Sequence, residues 1–220
     1  MNQFNKKVLI VAGGPIETEV LEAELSKKPN LIIAVDSGGK ILLNLEKKPD
    51  YLIGDFDSLP QSTLEQLISQ GTEVFKYPAN KDYTDLELAL GHAITLGAKE
   101  VRIVGGLGAR LDHCLANIGL LVNALEKGVR ATLIDYHHEM FVIDQSAAIE
   151  PRQGWAVSLV PLTPEVMGVT TTNLAFPLIG ETLYFKHSRG IHNQFTGKPA
   201  KVSIDSGILL VIYFREDYQI

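Results

Sequence analysis

The feature that most constrains this chain is a change of rhythm near residue 135. Up to that point, short β-branched runs at 8–12, 31–35, 51–53, 101–104 and 131–134, with 72–76 as a further one, alternate with helically spaced apolar stretches. Those stretches cover 17–25, 39–45, 62–69, 85–96 and 113–125. Strands alternating with helices of about ten to fifteen residues are the pattern of βαβ units, which build a mostly parallel sheet flanked by helices. From Glu139 onward the runs are short, at 140–143, 147–149, 156–160, 166–171, 182–185, 201–203 and 208–214. Gly, Pro, Asn and Asp separate them, no amphipathic helix intervenes, and an antiparallel β-sandwich or barrel of about eighty residues is expected. The reading is therefore an α/β domain over 1–136 and an all-β sandwich over 137–220, joined near Tyr136–Glu139.

Composition removes several functional classes. A chain of 220 residues with 20 Lys and Arg against 26 Asp and Glu carries a net charge of −6 and has no basic cluster. A nucleic-acid partner is not expected, because neutralising phosphates takes a clustered Lys/Arg surface. Cys114 is the one cysteine, which rules out an internal disulfide and a Cys-based zinc site. Its place in the apolar run CLANIGLL predicts a buried, inert thiol. No run approaches the roughly 18 apolar residues of a membrane span. The opening MNQFNKK and the short run after it lack the make-up of a secretory signal, so a cytoplasmic location is expected.

Acidic residues stand where the strands of the first half end. Asp36 follows LIIAV and precedes Ser37-Gly38-Gly39; Asp55 and Asp57 follow YLIG in GDFDSL; Asp82 and Asp85 lie in KDYTDLELAL; Asp112 closes GGLGARLDH. In a parallel sheet these loops emerge on one edge, where ligands bind. Converging carboxylates repel one another, and a hard cation relieves that cost. Oxygen ligands without cysteine or clustered histidine suit Mg²⁺, which shares substrate phosphate oxygens. Lys81, Arg110 and His113 are placed to face the remaining phosphate charge, the apparatus that phosphoryl transfer needs.

Several of these residues also have ordinary readings. Asp82 and Asp85 fit a helix N-cap and a first-turn acid, Asp112 fits the N-cap of a helix from 113, and Asp36 fits a turn. GDFDS resists such a reading, since nothing local requires both aspartates. The turns at Gly13-Gly14-Pro15 and Gly105–Gly108 can cradle phosphate with backbone N–H groups. Neither is a P-loop or a dinucleotide fingerprint.

In order and spacing, VDSGG (35–39), GDFDS (54–58), KDYTDLELAL (81–90), GGLGARLDH (105–113), SRGIHNQF (188–195) and GILLVIYF (207–214) resemble the thiamine pyrophosphokinase family. The resemblance implies transfer of the β,γ-pyrophosphoryl group of ATP to the thiamine hydroxyl, giving thiamine diphosphate and AMP. It also implies a homodimer with active sites at the subunit interface. Asp55, Asp57, Asp82 and Asp85 would surround Mg²⁺ and the ATP phosphates as catalytic and metal-binding residues, with Asp36 and Lys81 nearby as ATP-binding residues. Arg110, Asp112 and His113 would shape the ATP site, and Ser188 and Asn193 would fall near the thiamine. Trp155, Phe195 and Tyr83 are the rings open to stack on thiamine. The family segment often written G-T-S-N-E-F reads differently here, with His192 and Gln194 in its Ser and Glu places.

Two rival readings differ in testable ways. A haloacid-dehalogenase-like phosphatase also places D-x-D after a strand, but its nucleophile ends the first strand, whereas Asp55 ends the third. It would form an aspartyl-phosphate at Asp55. A non-catalytic nucleotide or thiamine sensor would bind without turnover.

Overall fold

The computed structural model describes residues 6–216; the opening MNQFN lies outside them. Two compact units divide the chain, the first ending at Tyr136 and the second starting at His137. The first holds β1 (Lys6–Val11), α1 (Thr18–Ser26), β2 (Leu31–Val35), α2 (Gly38–Asn44), β3 (Tyr51–Gly54), α3 (Gln61–Ser69) and β4 (Glu73–Lys76). It continues with α4 (Asp85–Thr95), β5 (Ala98–Val104), α5 (Leu111–Glu126) and β6 (Arg130–Ile134).

Strand order in this unit is β6-β5-β1-β2-β3-β4, and every pairing is parallel. Strands buried on both faces read as continuous apolar runs rather than as alternating ones, and VLIV and LIIAV are such runs. On one face Leu9, Val11, Ala34, Leu52 and Val104 pack against Leu21 of α1, Leu42 of α2 and Leu67 of α3. On the other, Ile103 and Leu133 approach Leu86 of α4 around Gly106. The chain moves outward from β1 to β4, then returns to place β5 on the opposite side of β1. That reversal opens a crevice beyond the carboxyl ends of β1 and β5, the place where open parallel sheets bind ligands.

The start of α4 differs from the sequence reading. Its N-cap is Thr84, in extended conformation (φ −72°, ψ 156°), whose hydroxyl accepts from the Glu87 N–H at 3.2 Å; Asp82 lies outside the helix. Asp85 is the first helical residue, where a carboxylate meets the positive end of the helix dipole. Helix α5 begins at Leu111, so Asp112 sits inside the first turn and not at the cap.

The second unit is all β: β7 (His138–Ile143), β8 (Ser146–Ile149), β9 (Trp155–Pro161), β10 (Glu165–Thr172), β11 (Glu181–Tyr184), β12 (Asn193–Gln194), β13 (Ala200–Ser203) and β14 (Leu209–Arg215). Antiparallel pairing gives one layer β12-β9-β14-β7 and another β11-β10-β13-β8. Phe141, Val157, Leu159 and Val211 of the first layer meet Ile149, Val166, Val169, Leu183 and Val202 of the second in one buried core. This is the sandwich that the short runs predict. The two-residue β12 was not among them.

Candidate active site

The loops after five strands of the first unit line one crevice of about 500 Å³. Gly13, Gly14 and Pro15 follow β1, Asp36 follows β2 and Asp55 follows β3. Lys81, Tyr83 and Thr84 come from the stretch between β4 and α4, Asp85 opens α4, and 105–110 follow β5. His113, Cys114 and Asn117 add one side of α5. Of the residues singled out in the sequence, the crevice gathers Asp36, Asp55, Lys81, Asp85, Arg110 and His113. Asp57, Asp82 and Asp112 are exposed and lie outside its lining.

The turn after β3 sorts its two aspartates. Phe56 is buried in the core, with φ +67°, so its flanking carboxylates point differently from a strand's alternation. Asp55 reaches the crevice, and its Oδ1 accepts the Asp57 N–H at 3.0 Å. The Asp36 carboxyl is pushed up to about 6 by burial first and by the nearby Asp85 charge second, with Asp55 adding to it. Asp85 Oδ1 is buried without a hydrogen bond, although Lys81 Nζ lies 2.8 Å from it. That contact is therefore an ion pair out of hydrogen-bond alignment. Lys81 also donates to the Pro78 carbonyl at 3.2 Å.

Asp55 and Asp85 both lie close enough to raise the Asp36 carboxyl, and the oxygen donors of Asp55 and Asp85, the latter paired with Lys81, are of the kind that suits a hard cation. Among the described residues no three His, Cys, Asp or Glu side chains are gathered tightly enough to hold a metal by themselves. The set thus fits a cation that takes part of its shell from substrate phosphate and water, the habit of Mg²⁺.

The basic side of the crevice is built on the β5–α5 turn. Arg110 is exposed and held by Asp112 through Nε–Oδ1 at 3.2 Å and Nη2–Oδ2 at 2.5 Å. Those bonds bring the Asp112 carboxyl down to about 2. The two glycine turns touch: the Gly14 N–H donates to the Gly105 carbonyl at 3.1 Å, and a side chain on Gly14 would overlap that carbonyl. Asn117, buried, donates from Nδ2 to the Gly106 carbonyl at 2.6 Å and ties the turn to α5. Sequence reading missed it, since an Asn inside an apolar helical run carries no signature. Cys114 corrects an expectation: it is half-buried and lines the crevice, with Sγ within 3.4 Å of the Gly108 N–H.

In the second unit Ser188 is exposed and Asn193 is buried. The Asn193 amide is committed to backbone: Oδ1 accepts from the N–H groups of Phe176 at 2.9 Å and Gln194 at 3.0 Å, and Nδ2 donates to the Phe176 carbonyl at 2.7 Å. The two departures from the family segment share one partner. Gln194 donates to Glu216 at 2.9 Å, and His192 Nε2 lies 3.3 Å from the same oxygen. Of the three aromatic candidates, Trp155 has the guanidinium groups of Arg152 and Arg215 at 5.3 and 5.5 Å from its ring. Phe195 stacks on Tyr213. Tyr83 is exposed and is the one of the three in the crevice lining.

Glycine turns and hard-oxygen carboxylates at the switch point of a parallel sheet, with a β-sandwich unit following in sequence, define a two-unit phosphate-transferring enzyme. Residues 23–133 match the family profile "Thiamin pyrophosphokinase, catalytic domain", and residues 143–209 match "Thiamin pyrophosphokinase, vitamin B1 binding domain". The chain belongs to the thiamine pyrophosphokinase family. It is 29% identical over 209 residues to thiamine pyrophosphokinase from Bacillus subtilis (strain 168), covering 94% of this chain and 98% of that protein. The crystal structure of the Bacillus subtilis protein is similar with a TM-score of 0.85 at 27% identity, over 96% of this chain and 100% of that one. That of thiamin pyrophosphokinase from Geobacillus thermodenitrificans is similar with a TM-score of 0.81 at 28% identity, over 97% and 100%.

Proposed function

We propose that this chain transfers the β,γ-pyrophosphoryl group of ATP to the hydroxyl of thiamine, giving thiamine diphosphate and releasing AMP. The observation that carries this reading is the crevice at the switch point, in a chain whose two units each match their counterpart in one family. The turns around Gly14 and Gly105–Gly108 receive the phosphate chain, because without side chains there it can come close to the backbone. Lys81, Arg110 and His113 hold phosphate charge, and Asp112 keeps the Arg110 guanidinium aimed. Asp55 and Asp85 would hold Mg²⁺, with the exposed Asp57 and Asp82 as further oxygen donors. When bound there, the ion would supply neutralisation of the charge that builds on the transferring phosphoryl oxygens. Catalysis by the protein is then positioning and charge compensation, with no covalent intermediate.

Tyr83 is the ring that we assign to stacking on the substrate's cationic heterocycle. In the second unit the exposed Ser188 hydroxyl is the group we assign to thiamine, while the Asn193 amide holds the backbone of Phe176. Among the described residues no helix is long and apolar enough to cross a membrane. A cytoplasmic homodimer remains part of the proposal, the homodimer resting on the family resemblance alone.

The deciding experiment is a turnover assay with ATP, Mg²⁺ and thiamine that separates AMP from ADP. Thiamine-dependent AMP together with thiamine diphosphate is the expected result. ADP with thiamine monophosphate would overturn attack at the β-phosphorus, and absence of any thiamine-dependent product from folded protein would overturn the substrate.

A further inference from the structure

The aspartate that ends β2 differs from the others in the crevice. Asp36 sits at φ +45°, in the left-handed region that an Asp enters at modest cost. Its N–H donates to the Ile53 carbonyl at 3.1 Å, and its carbonyl accepts the Gly39 N–H at 3.1 Å. The backbone is thereby pinned on both sides, to β3 and to the start of α2. With the main chain fixed, the carboxylate turns towards the neighbouring strand rather than outward. Its Oδ1 accepts the N–H of Phe56 at 3.3 Å.

Gly54 makes this possible. It stands at φ +155°, and a Cβ there would overlap the Asp36 carboxylate. The carboxylate fills the space that any side chain at 54 would take. Phe56 in turn holds φ +67°, a conformation that a bulky L residue adopts only when its surroundings enforce it. Burial of its ring in the core holds one side of Phe56, and the Asp36 carboxylate holds the N–H on the other. Between the two anchored residues lies Asp55, whose direction is set by both.

We infer that Asp36 is a positioning residue: its carboxylate, seated in the notch left by Gly54 and bonded to the Phe56 amide, fixes the turn that presents Asp55 to the crevice. It replaces the nucleotide contact that the family resemblance implies for Asp36, and it rests on the assignment of Asp55 made above. Asn at this position keeps an oxygen acceptor for the Phe56 amide and loses the charge, whereas Ala loses both.

The test compares Asp36→Asn, Asp36→Ala, Gly54→Ala, Asp55→Asn and the Asp36→Ala/Asp55→Asn pair by steady-state kinetics and by amide exchange at Phe56. Asp36→Ala is expected to lower kcat about 100-fold with KM for ATP within about twofold, since a displacement near 1 Å is enough for such a loss. Asp36→Asn should recover at least about a tenth of the wild-type kcat, because the acceptor remains. Gly54→Ala should reproduce the kcat loss with Asp36 intact, which covers the case in which Asp36→Ala does not fold. Exchange at Phe56 should quicken in Asp36→Ala and Gly54→Ala and stay slow in Asp36→Asn. On the Asp55→Asn background, Asp36→Ala should cost less than about a further twofold, as expected of residues acting as one unit.

If Asp36→Asn falls as far as Asp36→Ala and raises KM for ATP, the charge itself meets the ligand and the inference is overturned. Additive losses in the pair overturn it as well. Near-normal turnover of Asp55→Asn is a separate outcome that removes Asp55 from the site and takes both assignments with it.

Discussion

Two carboxylates in the crevice are set apart by their surroundings, and each yields a prediction. Asp55 lines the crevice and is half-exposed, so Asp55→Asn removes a charge without opening a cavity. It should fold with an unchanged melting temperature and lose turnover by at least about 100-fold, as removing a transition-state charge contact does. Normal turnover would remove the metal and phosphate role from Asp55. Asp36 makes a pH prediction. Its folded value near 6 lies above the ordinary 3.8, so the folded state binds this proton more tightly than the unfolded state does. Stability contributed through this group is therefore lost as pH rises between 3.8 and 6, and the loss persists above 6. In buffer without divalent cations, Asp36→Asn should melt higher than the wild type above pH 6 and match it below 3.8. A gap of equal size at both ends would mean that the difference is packing and not ionisation.

At the scale of elements, the crevice depends on how α4 and α5 meet the turns beside them. Asn117 of α5 is buried and ties the glycine turn down through the Gly106 carbonyl. Asn117→Ala leaves that carbonyl without its partner and should cost about 1–3 kcal/mol in denaturant unfolding. It should also raise KM for ATP, because the 105–108 amides lose their support. Unchanged KM would separate the turn from nucleotide binding. The parallel strands were legible because strands buried on both faces must be apolar along their length, as Leu31–Val35 is. Asp36 and Asp55 were legible because each directly follows such a run. Which acids reach the crevice was not legible. That sorting depends on the left-handed turn at Phe56 and on Thr84, not Asp82, capping α4. Local turn geometry of this kind leaves no periodic trace. The roles of Asn117 and Cys114 were hidden too, since both are side chains in an apolar helical pattern that contact a turn several residues away.

At the scale of the whole molecule, the surface of the first unit bears on association. Single exposed apolar side chains are ordinary on a monomer, but contiguous ones mark contact surfaces. Leu111 and Leu115 are 69% and 61% exposed. Their spacing of four residues puts them on the same face of α5, one turn apart. They share that helix's first turns with Arg110 and His113, which line the crevice. A second copy covering Leu111 and Leu115 would thus border the crevice, so association and turnover should change together. Light scattering is expected to give a mass about twice the 24.1 kDa of one chain. Leu115→Glu places a charge on that face outside the crevice lining, and should shift the protein towards monomer while the melting of the isolated chain stays within about 0.5 kcal/mol of stability. Turnover per chain should then rise with protein concentration as dimers re-form. A wild-type protein that is monomeric at assay concentration and fully active would exclude a shared site, and the crevice of one chain would then have to complete the reaction alone.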